Sequence, residues 1–199
     1  MTMNENHAKV CGSPEWADYL QTEVLPVVTR DADLGVSMLE IGPGPGAATD
    51  WLRDKVGKLT AVEVDEAAAA LLTERYAGTN VEVVTGSGAD LGYPDASFDS
   101  VGTFTMLHHV PTLALQNKIL AEAFRVLRPG GVLVGSDSLP GNDLHHFHAD
   151  DTYNPVDPAS LLGRLQTIGF SQITVMVDER LMFIARKPSA EAPDPEATA

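Results

Sequence analysis

The sequence predicts an α/β fold: a doubly wound, mixed sheet of seven strands with helices on both faces and an antiparallel hairpin at its C-terminal end. Three observations predict it. Short apolar runs alternate with helical patterns from residue 36 to residue 136, the signature of parallel β-α-β units. The first run breaks abruptly into Gly42, Gly44 and Gly46, as a buried strand feeding a tight turn would. The last two runs, Ile173 to Val177 and Leu181 to Arg186, are separated only by a short turn around Asp178-Glu179, so they pair antiparallel.

Taken in order, Ser13-Pro14 followed by EWADYLQTEVLPVV reads as a capped helix with Trp16, Leu20 and Val24 at i, i+4 and i+8. Val36 to Ile41 (VSMLEI) is a buried strand, Ala47 to Val56 a helix, and Lys58 to Val64 (KLTAVEV) the second strand. Asp65 is placed to cap the Ala/Leu-rich helix from Glu66 to Tyr76. Val81 to Thr85 and Ser100 to Phe104 are the third and fourth strands. Leu113 to Leu127 is a long helix closed by the turn Arg128-Pro129-Gly130-Gly131, after which Val132 to Ser136 is the fifth strand. A helix from Ala159 to Ile168 ends at Gly169.

A chain of 199 residues, 44% hydrophobic, suits one domain with a substantial core. Residues 1–187 are expected to form it, with the first helix as a lid. Residues 188–199 are expected to be a disordered tail, because three prolines, three acids and no large apolar side chain cannot offset the entropy of ordering. The 28 acids against 13 basic residues give a net charge of −15, which excludes a nucleic-acid binder and disfavours docking on an anionic membrane. The single cysteine, Cys11, excludes an intramolecular disulfide and a four-thiolate zinc site. No apolar run approaches the roughly 20 residues that span a bilayer. MTMNENHAKV lacks a secretory pattern, so a cytoplasmic location is expected.

The glycine turn after the first strand lets backbone approach a ligand closely. Glu63 follows Gly46 by 17 residues, near the end of the second strand, where a carboxylate accepts two hydrogen bonds from a ribose diol. A pyrophosphate prefers G-x-G-x-x-G, whereas this chain has G-x-G-x-G with Glu40 two places ahead of it. An acid there repels phosphate and attracts an ammonium group. A ligand with adenosine at one end and an amino acid at the other fits both carboxylates.

LEIGPGPG, VEVD, Ser97-Phe98-Asp99 and the LRPGG turn together resemble the successive motifs of the class I S-adenosylmethionine-dependent methyltransferases, from about Val36 to Ser136. That resemblance implies a Rossmann-like sheet and S-adenosylmethionine as cofactor. It implies that Glu40, Gly42, Gly44 and Gly46 surround the methionine part, that Glu63 binds the ribose and that Val64 packs on the adenine. Where the family commonly has Gly-Asp-Ala after the third strand, this chain has Gly86-Ser87-Gly88, leaving Ser87 or Asp90 for the adenine contact. The resemblance also implies a structural role for Asp99 and a cofactor-side wall at Phe104.

Methyl transfer to oxygen needs a base, and five of the six histidines lie beyond residue 107. His108 and His109 follow the fourth strand at its carboxyl end; His148 belongs to the cluster His145-His146-Phe147-His148-Ala149-Asp150-Asp151, after the fifth strand. These three are the candidate catalytic residues. If that connection is helical, His145, His148 and Asp151 share a face that could bind a divalent cation such as Mg²⁺. A solvated polar loop is the preferred reading, since the spacing matches no strong ligand signature, and no metal site is assigned. Trp16, Tyr19, Phe147 and Tyr153 are candidate pocket walls. The expected partner is a small-molecule acceptor, preferably a sugar or polyol hydroxyl, with a phenol or amine as alternatives. An NAD-dependent oxidoreductase and a non-catalytic cofactor-binding scaffold are the competing readings. Oligomeric state is not legible.

Overall fold

Ser37–Ile41 (β1) is buried along four of its five residues, so both of its faces are covered and the strand lies inside a sheet. The computed structural model, which describes residues 4, 9–141, 148 and 151–189, confirms this. β1 is flanked by Lys58–Glu63 (β2) and Phe98–Phe104 (β4), both parallel to it. Val81–Thr85 (β3) lies outside β2, and Leu127–Asp137 (β5) beside β4. Leu181–Arg186 (β7) pairs antiparallel with β5 and with the edge strand Ser171–Val177 (β6), giving the order β3-β2-β1-β4-β5-β7-β6. The expected seven-stranded mixed sheet with one reversed strand beside an edge is the observed one. The chain starts in the middle, winds out to β3 and returns beside β1, so the topological switch point falls between β1 and β4.

The pleat sorts the core into two layers. Leu39, Ile41 and Leu133 point to one face, which is covered by Leu113–Val126 (α5) and Pro158–Ile168 (α6). Met38, Val132 and Val134 point to the other, packing on the N-terminal helical segment and on Ala47–Leu52 (α3). Glu63 is followed by Asp65, whose carboxylate accepts from the Ala68 amide at 3.0 Å and so caps Glu66–Arg75 (α4), as its position in the sequence implied. The loop into β1 is held by Asp99, which accepts from the amides of Val36 and Ser37 at 3.0 and 2.9 Å and pairs with Arg128.

Two elements depart from expectation for identifiable reasons. The first helix is not continuous: Pro14–Tyr19 (α1) passes through a π-helical turn, Leu20–Val24, before Leu25–Thr29 (α2). Pro26 has no N–H to give to the carbonyl four residues back, and the wider turn ahead of it accommodates that loss. The turn residues Arg128 to Gly131 do not separate α5 from its strand. Leu127 already pairs with Phe98, the Gly130 amide donates to the Lys187 carbonyl, and the ladder carries the bend as a bulge. β5 therefore begins at Leu127 rather than Val132. Residues 190–199, most of the expected tail, lie outside the described residues. Among the described residues no helix is long and apolar enough to cross a membrane.

Candidate functional site

At the switch point, the carboxyl ends of β1, β2 and β4 and the turn after β3 surround a cleft of about 670 Å³, a volume in the range of small-molecule sites. Glu40, Gly42, Gly44, Glu63, Val64, Ser87, Gly88 and Phe104 all line it. Gly46 does not; its φ of +88° turns the backbone toward Tyr76, whose hydroxyl lies 3.2 Å from the Gly46 carbonyl. Asp90 is exposed and outside the lining, which leaves Ser87 on the cleft wall. The Ser87 hydroxyl accepts from the Ala89 amide at 3.2 Å, which shapes the turn.

The two carboxylates are buried, each for a local reason. Glu63 accepts from the amides of Gly44 (3.2 Å) and Asp65 (3.0 Å), so it ties the glycine turn to the end of β2. A carboxylate has about four acceptor sites, and these bonds leave two for a ligand. Glu40 is 1% exposed and accepts from the Thr49 hydroxyl at 2.6 Å. Burial, together with the nearby Asp50 and Glu63, outweighs that hydrogen bond and raises its pKa from 4.5 to about 7. Behind the turn, Arg75 pairs with Asp50 and donates to the Pro45 carbonyl at 2.9 Å, so α4 fixes the loop from outside the cleft.

The raised Glu40 pKa has a direction in stability. Between pH 4.5 and about 7 the unfolded chain has released this proton while the fold still holds it, so stability falls as pH rises through that window. Glu40→Gln removes the penalty. Comparing the two by chemical denaturation without ligand, the variant should gain about 2 kcal/mol on the wild type on going from pH 5 to pH 8. Parallel pH profiles would refute the assignment.

The histidines divide. His109 lines the cleft, whereas His108 and His148 stand behind it, 3% and 4% exposed. His148 itself is therefore buried, not solvated as the reading of its cluster expected; its ring stacks on Tyr153 with centroids 4.5 Å apart. The Asp151 amide donates to the His148 carbonyl at 2.8 Å. Asp151 reaches the cleft wall, and His145 and Phe147 lie outside the described residues. His108 and His109 sit on a 3-10 turn, Leu107–His109, which buried Gln116 holds by donating to the carbonyls of Leu107 (3.0 Å) and Asn154 (2.8 Å). Trp16 lines the cleft; Tyr19 does not.

The sequence reading missed three residues here: Thr49, Asp137 and Arg180. Asp137 is fully buried at the end of β5, with Oδ1 2.5 Å from His108 Nδ1 and 2.7 Å from the Ser138 amide nitrogen. Burial pushes its carboxyl up, yet His108, the Ser138 amide and Arg180 outweigh this and hold it below the ordinary value. An acid ending an apolar strand at the sheet's carboxyl edge was the signal that could have found it. Arg180, on the β6–β7 turn, stands over the Trp16 ring at 5.1 Å. Burial pushes the Cys11 thiol up to about 11, so this cleft-lining group stays protonated at neutral pH.

A methyltransferase-domain family matches residues 39–135, the stretch from β1 to β5 that builds the cleft. A protein of Mycolicibacterium smegmatis (strain ATCC 700084 / mc(2)155), named "Probable S-adenosylmethionine-dependent methyltransferase", is 36% identical over 143 residues, 68% of this chain and 52% of its own length. Phthiotriol/phenolphthiotriol dimycocerosates methyltransferase 1 of Mycobacterium ulcerans is 30% identical over 124 residues, 61% of this chain and 45% of its own length. The chain thus spans about half the length of the curated relatives it matches. Among solved structures, a SAM-dependent methyltransferase from Methanosarcina mazei superposes with a TM-score of 0.65 at 19% identity, covering 83% of this chain and 98% of that one, a likeness of fold.

Proposed function

We propose that this chain, which belongs to the class I S-adenosylmethionine-dependent methyltransferases, transfers a methyl group from S-adenosylmethionine to a hydroxyl of a small polar acceptor. The observation that carries this reading is the pair of buried carboxylates, Glu40 and Glu63, bracketing a glycine turn inside one cleft. The residues fit the cofactor. Gly44 faces open space where any side chain would project, and the unused acceptor sites of Glu63 match a ribose diol. Glu40 is a counter-ion for the methionine ammonium, whose positive charge favours its ionised form. Val64, half-exposed on the cleft wall, offers an apolar surface to adenine beside Ser87 and Gly88, and Phe104 closes the floor.

When bound, the cofactor supplies an electrophilic methyl on a sulfonium. The chain's own contribution is to hold an acceptor oxygen in line with that methyl, to exclude water and to receive the hydroxyl proton. We place the acceptor end of the cleft at His109, Asp151 and Thr152, polar groups of the lining to which Cys11 and Trp16 also belong. They support a polyhydroxyl acceptor such as a sugar or polyol. A phenol is the second reading, favoured by the aromatic Trp16 in the same cleft lining.

Thermal-shift measurements test the cofactor first. S-adenosylhomocysteine should raise the melting temperature and NAD should not. Stabilisation by NAD alone would overturn the reading in favour of an oxidoreductase. A screen of sugars, polyols and phenols with labelled methyl donor then identifies the acceptor, and label on a nitrogen rather than an oxygen would overturn the hydroxyl assignment.

A further inference from the structure

We infer that His108, His109 and His148 form a transition-metal site, of the zinc type, whose open position faces the acceptor end of the cleft. One ring nitrogen from each histidine lies within 4.8 Å of the others. The three rings gather from two separate segments, with centroids 4.0, 5.0 and 5.3 Å apart and planes inclined at 43°, 86° and 51°, so they converge rather than stack in parallel. Zinc takes imidazole nitrogen, and three protein ligands with a fourth position left for water or substrate is the pattern of catalytic zinc.

The supports around the cluster point the same way. His108 Nδ1 is engaged by Asp137, which assigns Nε2 as its ligand atom; a buried carboxylate on the far nitrogen is the usual second partner of a metal-binding histidine. Asp137 is itself held by the Ser138 amide, and the His108 amide lies 3.3 Å from its Oδ2. Tyr153 lies against His148 with an interplanar angle of 22°, which fixes that ring. The Asn154 amide donates to the His108 carbonyl at 2.7 Å, so the segment after His148 is tied to the turn that carries the other two ligands. The donor set also selects the ion: three imidazoles suit Zn²⁺, Co²⁺ or Ni²⁺, whereas Mg²⁺ requires oxygen.

His109 belongs both to the cluster and to the cleft wall, so it connects the site to the acceptor. Resting on the methyl-transfer reading above, the role of the metal is to bind the acceptor hydroxyl at its open position. The O–H bond would then break heterolytically, the proton passing to the Asp151 carboxylate on the cleft wall and the electron pair staying on oxygen as the nucleophile.

The test uses the full chain without an affinity tag, stripped with EDTA. Titration with Zn²⁺ should show one site per chain, and Co²⁺ should give the visible absorption of a four-coordinate imidazole complex. His109→Ala, at the least buried ligand, should weaken Zn²⁺ binding at least a hundredfold, and Asp137→Asn should weaken it 10- to 100-fold. No stoichiometric Zn²⁺ uptake, equal binding of Mg²⁺, or wild-type Zn²⁺ affinity in His109→Ala would each overturn the site. If a variant fails to fold, the Co²⁺ spectrum of the wild type decides. S-adenosylhomocysteine binding is measured in parallel: zinc bound without it removes the methyl-transfer reading and leaves the site, while the nucleoside bound without zinc does the reverse.

Discussion

Glu63→Ala is expected to lower the affinity for S-adenosylhomocysteine by about a hundredfold, read by calorimetric titration. Two hydrogen bonds from a ribose diol to an ionised acceptor contribute roughly 1.5–3 kcal/mol each before the cost of desolvating the carboxylate, and a net loss near 3 kcal/mol is two decades in Kd. The same side chain accepts from the Gly44 and Asp65 amides, so its removal also leaves the glycine turn without its anchor on β2. Glu63→Gln separates the two effects. Its amide oxygen still accepts, while its NH₂ presents donors where the diol also donates, so it should lose about tenfold and melt closer to the wild type. Unchanged nucleoside affinity in Glu63→Ala would remove the ribose assignment.

What was legible in the sequence follows the range of the interactions. β1 and β2 were readable because parallel interior strands are apolar on both faces, and the β6–β7 hairpin because too few residues separate the strands for a crossover helix. The two carboxylates were readable because each stands at a set distance from the glycine turn, and turn and strand end are local structure. The RPGG segment was misjudged because turn residues normally stop an element. Here Leu127 and the 130–131 backbone are recruited by β4 on one side and by the chain leaving β7 on the other. The histidine cluster was beyond the sequence for a similar reason. His108 and His148 are forty positions apart, and they meet only because β4 and β5 are neighbours with their carboxyl ends at the same edge. Spacing along one hypothetical helix pointed to His145 and Asp151 instead, and the sheet joined His148 to a different pair.

Gly42→Ala and Gly44→Ala should fail in different ways, and the contrast tests how the turn is built. Gly42 has φ +71°, and a Cβ there would lie 2.2 Å from Met106 Cγ, a near-backbone atom with little freedom to withdraw. Left-handed strain of about 1–2 kcal/mol adds to overpacking of about 1–3 kcal/mol. The variant should therefore lose about 3 kcal/mol and melt roughly 6–12 °C lower, by scanning calorimetry without ligand. Gly44 has φ +53° but no atom within 4 Å of a built Cβ, so only the backbone strain applies and the shift should be a few degrees. Gly44 lines the cleft and its amide donates to the Glu63 carboxylate at 3.2 Å, so an added methyl at this position should reduce S-adenosylhomocysteine affinity tenfold or more in a protein that is still folded. A Gly44→Ala protein that binds the nucleoside as tightly as the wild type would mean that the ligand does not approach this turn. The cofactor placement would then fail even with both carboxylates intact, because its geometry needs the backbone of the loop within contact distance.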